Sequence, residues 1–89
     1  MIQVQSKYRA AAVQAAPVFL DLDATVEKAI ALIGQAAKQD VRLIGFPETW
    51  IPGYPFWIWL GAPAWGMRFV QRYFENALVR GSKQWQALA

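Results

Sequence analysis

The sequence predicts an α/β fold built on one strand–helix–strand unit, and three observations predict it. An apolar run, Val41 to Phe46, ends directly on Pro47. Apolar residues at three- and four-residue spacing fill the segment from Asp23 to Gln39. A stretch of small residues from Tyr8 to Ala15 is followed by Pro17. Extended runs flanking a helical period are the pattern of a βαβ unit, whose crossover is right-handed and whose strands are parallel.

Taken in order, Met1 to Lys7 is polar and expected to be a loose start. Tyr8 to Ala15 is the expected first strand. Alanine is a mediocre strand former, so spacing alone leaves a helix open here, and Pro17 argues for the strand. Asp21-Leu22-Asp23-Ala24 offers two helix N-caps, and Asp23 is preferred because its carboxylate can accept from the free N–H groups of the first turn. The helix should run to about Gln39 and bury Val26, Ala29, Ile30, Ile33 and Ala37, leaving Glu27, Lys28, Gln35 and Lys38 outside. Gly34 within it costs about 1 kcal/mol against alanine if exposed, which close packing or simple tolerance would explain. Asp40 turns the chain into the second strand, Val41 to Phe46. A residue before proline is driven to extended geometry, so Phe46 ends the strand and Pro47 stops its pairing. Both strands then finish on one side of the sheet, and Glu48 projects there.

From Thr49 to Met67 no residue is charged. The length nearly suffices to cross a bilayer, but Pro52, Pro55 and Pro63 with Gly53, Gly61 and Gly66 would break a helix and leave backbone groups unpaired in lipid. The expectation is no membrane span but an aromatic loop that covers a pocket or meets another subunit. Trp65 to Arg80 is read as a second amphipathic helix, packing through Phe69, Val70, Tyr73, Phe74, Ala77 and Leu78. Gly81 suits its left-handed end, and Ser82 is placed to cap a third helix.

Composition limits the partners. Nine Lys and Arg against six Asp and Glu give a net charge of +3, but the basic residues are spread along the chain rather than gathered into a patch, which argues against nucleic acid. Hydrophobic residues make up 56% and charged residues 17%, too apolar a balance for a self-contained domain of this size. The surplus calls for a partner surface, and one βαβ unit cannot cover both faces and edges of its sheet. With no Cys and no His, neither a disulfide nor a zinc site is available, and no cofactor or metal is expected. The amino terminus lacks the continuous apolar run of a secretory signal, so the cytoplasm is the default expectation.

The chemistry gathers at Arg42-Leu43-Ile44-Gly45-Phe46-Pro47-Glu48-Thr49-Trp50-Ile51-Pro52-Gly53-Tyr54-Pro55. A carboxylate delivered at the carboxyl end of a strand, where open α/β sheets collect their ligand groups, is set among aromatics, prolines and a glycine. Apolar surroundings of this kind make a carboxylate a better proton acceptor. An ordinary solvated loop glutamate is the competing reading.

Phe46-Pro47-Glu48-Thr49-Trp50-Ile51-Pro52-Gly53-Tyr54-Pro55-Phe56-Trp57 resembles the first catalytic motif of the nitrilase branch of the carbon-nitrogen hydrolase family. The likeness extends to Tyr8–Pro17 before it and to Arg72-Tyr73-Phe74-Glu75-Asn76 after it, and it favours a strand over a helix for Tyr8 to Ala15. It implies that residues 1–89 are the amino-terminal portion of a single, larger α-β-β-α sandwich domain. It further implies a Glu-Lys-Cys triad of which only Glu48, the general base, is present. Tyr54 resembles a tyrosine lining the substrate pocket, although a packing role weighs equally. None of Lys7, Lys28, Lys38 and Lys83 lies in the motif that carries the family's lysine. The implied substrate is a small nitrile, and the implied assembly a homo-oligomer, either dimer or spiral, with the Thr49–Met67 stretch near one of its surfaces. Without its cysteine the 89-residue chain alone is expected to be inactive. An amidase or a cyanide-degrading enzyme is the alternative within the family. Outside catalysis, an interaction or assembly module is the competing class.

Overall fold

The computed structural model describes residues 7–89, so the expected loose start lies outside the described residues up to position 6. Strand β1 (Arg9–Ala12) and strand β2 (Val41–Gly45) pair in parallel, joined by helix α1 (Leu22–Lys38). The βαβ unit expected from the sequence is therefore present. Partners along the sheet are Ala10 with Leu43, Ala11 with Ile44 and Ala12 with Gly45, after an irregularity between Arg9 and Ala10. Val13 N–H extends the pairing by donating to the Gly45 carbonyl at 2.8 Å. Both strands are shorter than their apolar runs. Ala15 and Phe46 have left the sheet, and each chain bends away ahead of its proline.

Helix α1 starts two residues earlier than expected. Asp21, not Asp23, is the N-cap, and its carboxylate accepts from Ala24 N–H at 3.0 Å. Asp23 instead accepts from the Gln84 side chain at 2.9 Å, joining the first turn of α1 to helix α3 (Lys83–Leu88). The buried residues of α1 are Thr25, Val26 and Ala29, whereas Ile30 and Ala37 are exposed. The expected stripe is thus correct in its first half only, because the sheet beneath α1 has just two strands to lie on. Thr25, wholly buried, donates its hydroxyl to the Val18 carbonyl at 2.7 Å and accepts from Val18 N–H at 3.1 Å. One side chain thereby bonds both backbone groups of a loop residue, whose carbonyl also accepts from Asp21 N–H at 3.2 Å.

Beyond the βαβ unit, a 3₁₀ turn (Phe56–Trp59) leads to helix α2 (Pro63–Glu75). Pro63 occupies the first turn of α2, where its missing N–H and fixed φ do no harm. The expected span of Trp65 to Arg80 is corrected at both ends. The helix stops at Asn76, whose side-chain amide donates to the Arg72 carbonyl at 2.8 Å while its oxygen accepts from Leu22 N–H at 3.0 Å. Ala77 and Leu78 therefore lie outside the helix. Trp57 packs on α2 with ring centroids 5.4 Å from Phe69 and 5.9 Å from Tyr73, and Trp65 lies 5.1 Å from Phe69. Gly81 has a left-handed φ of 83°, but it precedes α3 rather than ending α2. Ser82 caps α3 as expected, accepting from Trp85 N–H at 3.2 Å.

Candidate functional site

Glu48 stands where the motif puts it, three residues past the end of β2, in a turn between Pro47 and Trp50 closed by Trp50 N–H donating to the Pro47 carbonyl at 3.2 Å. Its main-chain carbonyl accepts from the Thr49 hydroxyl at 2.8 Å. Thr49 itself takes a left-handed φ of 49°, an unusual conformation for a β-branched residue. The turn is pinned by groups on both sides. Gly53 N–H donates to the Thr49 carbonyl at 2.8 Å, and Leu20 N–H donates to the Pro52 carbonyl at 3.0 Å.

Trp50, quoted in the motif but given no role from sequence, is the buried centre of this region. Only 5% of it is exposed. Its indole N–H donates to the Ala15 carbonyl at 2.8 Å, and its ring lies 4.9 Å from that of Phe46. The signal in the sequence was an indole amid apolar residues: when buried, such an N–H needs an acceptor. Gly53 is the second residue whose importance sequence reasoning missed. Its φ is 112°, and a β-carbon there would come within 2.6 Å of the Phe19 ring. The peptide bond between Ile51 and Pro52 is cis.

The side chain of Glu48 is exposed. The dry setting expected around it is not supplied by its sequence neighbours: Pro47 and Thr49 are exposed like Glu48, and Trp50 is the buried residue of the turn. Pro47 and Thr49, on either side of it, line an open cleft of about 310 Å³ together with Phe46, Trp50, Ile51 and Leu88. Tyr54 is also exposed, and it lines a different cleft of about 210 Å³ with Phe19, Gly53, Phe56 and Trp57. Glu48 is not among the residues lining either cleft. The two candidate residues thus share a loop, but neither of these two clefts is lined by both. Of the lysines, Lys28 donates to the Ala16 carbonyl. Among the described residues no group of three or more His, Cys, Asp or Glu is placed to hold a metal ion. None of the described helices is long and apolar enough to cross a membrane.

What the arrangement offers chemically is one accessible carboxylate on a rigid turn at the carboxyl end of a parallel strand pair. Comparison with known proteins gives this context. Residues 9–89 match the model of the family described as carbon-nitrogen hydrolase. A nitrilase of Pseudomonas syringae pv. syringae (strain B728a) is 63% identical over 76 residues, covering 85% of this chain and 23% of that protein. An aliphatic nitrilase of Rhodococcus rhodochrous is 44% identical over 88 residues, covering 98% and 23%. A cyanide hydratase of Botryotinia fuckeliana (strain T4) is 44% identical over 78 residues, covering 88% and 21%. The chain spans between a fifth and a quarter of the length of these relatives.

Proposed function

The chain belongs to the carbon-nitrogen hydrolase family, and from that premise we propose that it is the amino-terminal part of a nitrilase, converting a nitrile to a carboxylic acid and ammonia. Glu48 is the general base of a Glu-Lys-Cys triad whose lysine and cysteine are supplied by other polypeptide. It takes the proton of the cysteine thiol as the sulfur adds to the nitrile carbon to give a thioimidate. A first water adds to that carbon and ammonia leaves with the protons gained. Glu48 then draws a proton from the second water, which opens the resulting thioester and frees the carboxylic acid and the thiol. A nucleophile of this kind needs an adjacent base, and the negative charge developing on the substrate needs a fixed cation, the task of the lysine. Tyr54 lines the substrate pocket from the same loop. The rest of an α-β-β-α sandwich closes over the exposed face of Glu48 and removes its water. The same proposal includes assembly into a homo-oligomer and residence in the cytoplasm.

The observation that carries this reading is the extent of the likeness to proteins named nitrilases, 85% of the chain at 63% identity in one case. The cyanide hydratase likeness favours a second reading, in which the substrate is cyanide. A hybrid enzyme in which this chain replaces the matching segment of the Pseudomonas syringae relative tests both. Ammonia release from an organic nitrile is the expected result, and turnover of cyanide alone selects the second reading. In the hybrid, Glu48→Gln is expected to lower kcat by about 10² to 10⁴, the usual contribution of general acid–base help. A full rate after Glu48→Gln ends its role as base, and a soluble hybrid that turns over neither substrate ends the proposal.

A further inference from the structure

The turn that carries Glu48 is held by one residue with no part in the proposed proton transfers, through both its side chain and its main chain. Phe46 and Pro47 precede the acid and Trp50 follows it by two residues. Trp50 meets the first by ring contact at 4.9 Å and the second by a main-chain hydrogen bond at 3.2 Å. Its indole N–H then crosses to the Ala15 carbonyl at 2.8 Å, on the chain leaving the neighbouring strand. With the Glu48 side chain exposed, its direction is set by the backbone of this turn rather than by packing of its own methylenes. The left-handed φ of Thr49, disfavoured for a β-branched residue, falls inside the turn that the Trp50 N–H closes on the Pro47 carbonyl.

We propose that Trp50 is a positioning residue for Glu48: its indole, tethered to Ala15 and tilted against Phe46, fixes the direction in which the carboxylate leaves the end of β2. The proposal rests on the reading of Glu48 as general base. Reacting groups must be held within a fraction of an ångström of their working geometry, and a displacement of about 1 Å can cost about 10²-fold in rate. A phenylalanine at position 50 keeps a ring beside Phe46 but has no N–H for the Ala15 carbonyl, so the turn is released from one side only.

The test is a double-mutant cycle in the hybrid enzyme, with kcat and KM measured separately. Trp50→Phe is expected to lower kcat about 10- to 100-fold with KM within about threefold of the parent. In the Glu48→Gln background the same substitution is expected to change the residual rate by less than about twofold, because a base that is gone cannot be misaimed. An equal loss in both backgrounds overturns the proposal, since it reports general damage to the fold, and so does a loss carried wholly by KM. Failure of the underlying reading looks different, because Glu48→Gln alone then leaves kcat intact. Should Trp50→Phe not give folded protein, Phe46→Leu takes its place in the cycle. It leaves the indole hydrogen bond and removes the ring contact, and the same non-additivity with Glu48→Gln is expected.

Discussion

At Gly53 the chain depends on the absence of a side chain. A left-handed φ of 112° and a Phe19 ring 2.6 Å from any added β-carbon combine backbone strain with overpacking. Gly53→Ala is expected to lower the stability of the hybrid by about 1–3 kcal/mol, read as a fall in the thermal midpoint. Gly34 is the useful contrast. It lies inside α1 with nothing within 4 Å of an added β-carbon, so tolerance rather than close packing explains it. Gly34→Ala is expected to raise stability by about 0.4–1 kcal/mol in the same measurement. The two glycines look equally ordinary in the sequence, and it is the backbone conformation of Gly53 and the neighbour contributed by residue 19 that separate them. Glu48 drew attention in the sequence, because a carboxylate between a strand-ending proline and a run of aromatics is conspicuous. Its surroundings were not legible. Trp50 is buried while Pro47, Glu48 and Thr49 are exposed, so under the proposed function the drying of the acid has to come from elsewhere in space.

Local rules were sufficient for elements whose ends are decided locally. The helix and the second strand follow from spacing and prolines, the first strand needed the family resemblance besides Pro17, and the Ser82 cap follows from the preference of hydroxyls for free N–H groups. They were insufficient at α1, where Asp21 and Asp23 satisfy the same rule. Leu20, at a left-handed φ of 57°, feeds the chain so that Asp21 comes first. Asp21→Ala is expected to cost about 0.5–2 kcal/mol, and Asp23→Ala less than about 0.5 kcal/mol because its exposed bond to Gln84 competes with water. Circular dichroism of the two variants during thermal unfolding checks the order. The end of α2 was illegible for another reason. Asn76 closes the helix by turning back to Arg72 and reaching Leu22, 54 residues away, a tertiary event that no helical period records. Pro63 did carry a local signal for the start of α2, since proline is favoured in a first turn.

The chain as a whole is elongated, 54 × 27 × 27 Å with a radius of gyration of 16.2 Å, where a self-contained domain of this length measures about 12 Å. Its buried hydrophobic side chains among the described residues are Val26, Ala29 and Trp50, while Trp59 and Phe74 are more than three-quarters exposed. So much open apolar surface needs a cover, and in its absence the chain is expected to self-associate. The 89-residue chain produced alone should elute above its monomer mass in size-exclusion chromatography and release no ammonia from nitriles. Phe74→Lys is expected to shift it towards the monomer, and unchanged elution would clear that face of blame. The turn around Glu48 behaves differently from this open surface. Every hydrogen bond described in it joins residues between Ala15 and Gly53. During vectorial synthesis, amino-terminal portions gain structure first, so the mounting of Glu48 can be finished as soon as residue 53 clears the ribosome, and under the proposed function the carboxylate would be aimed before its reaction partners arrive.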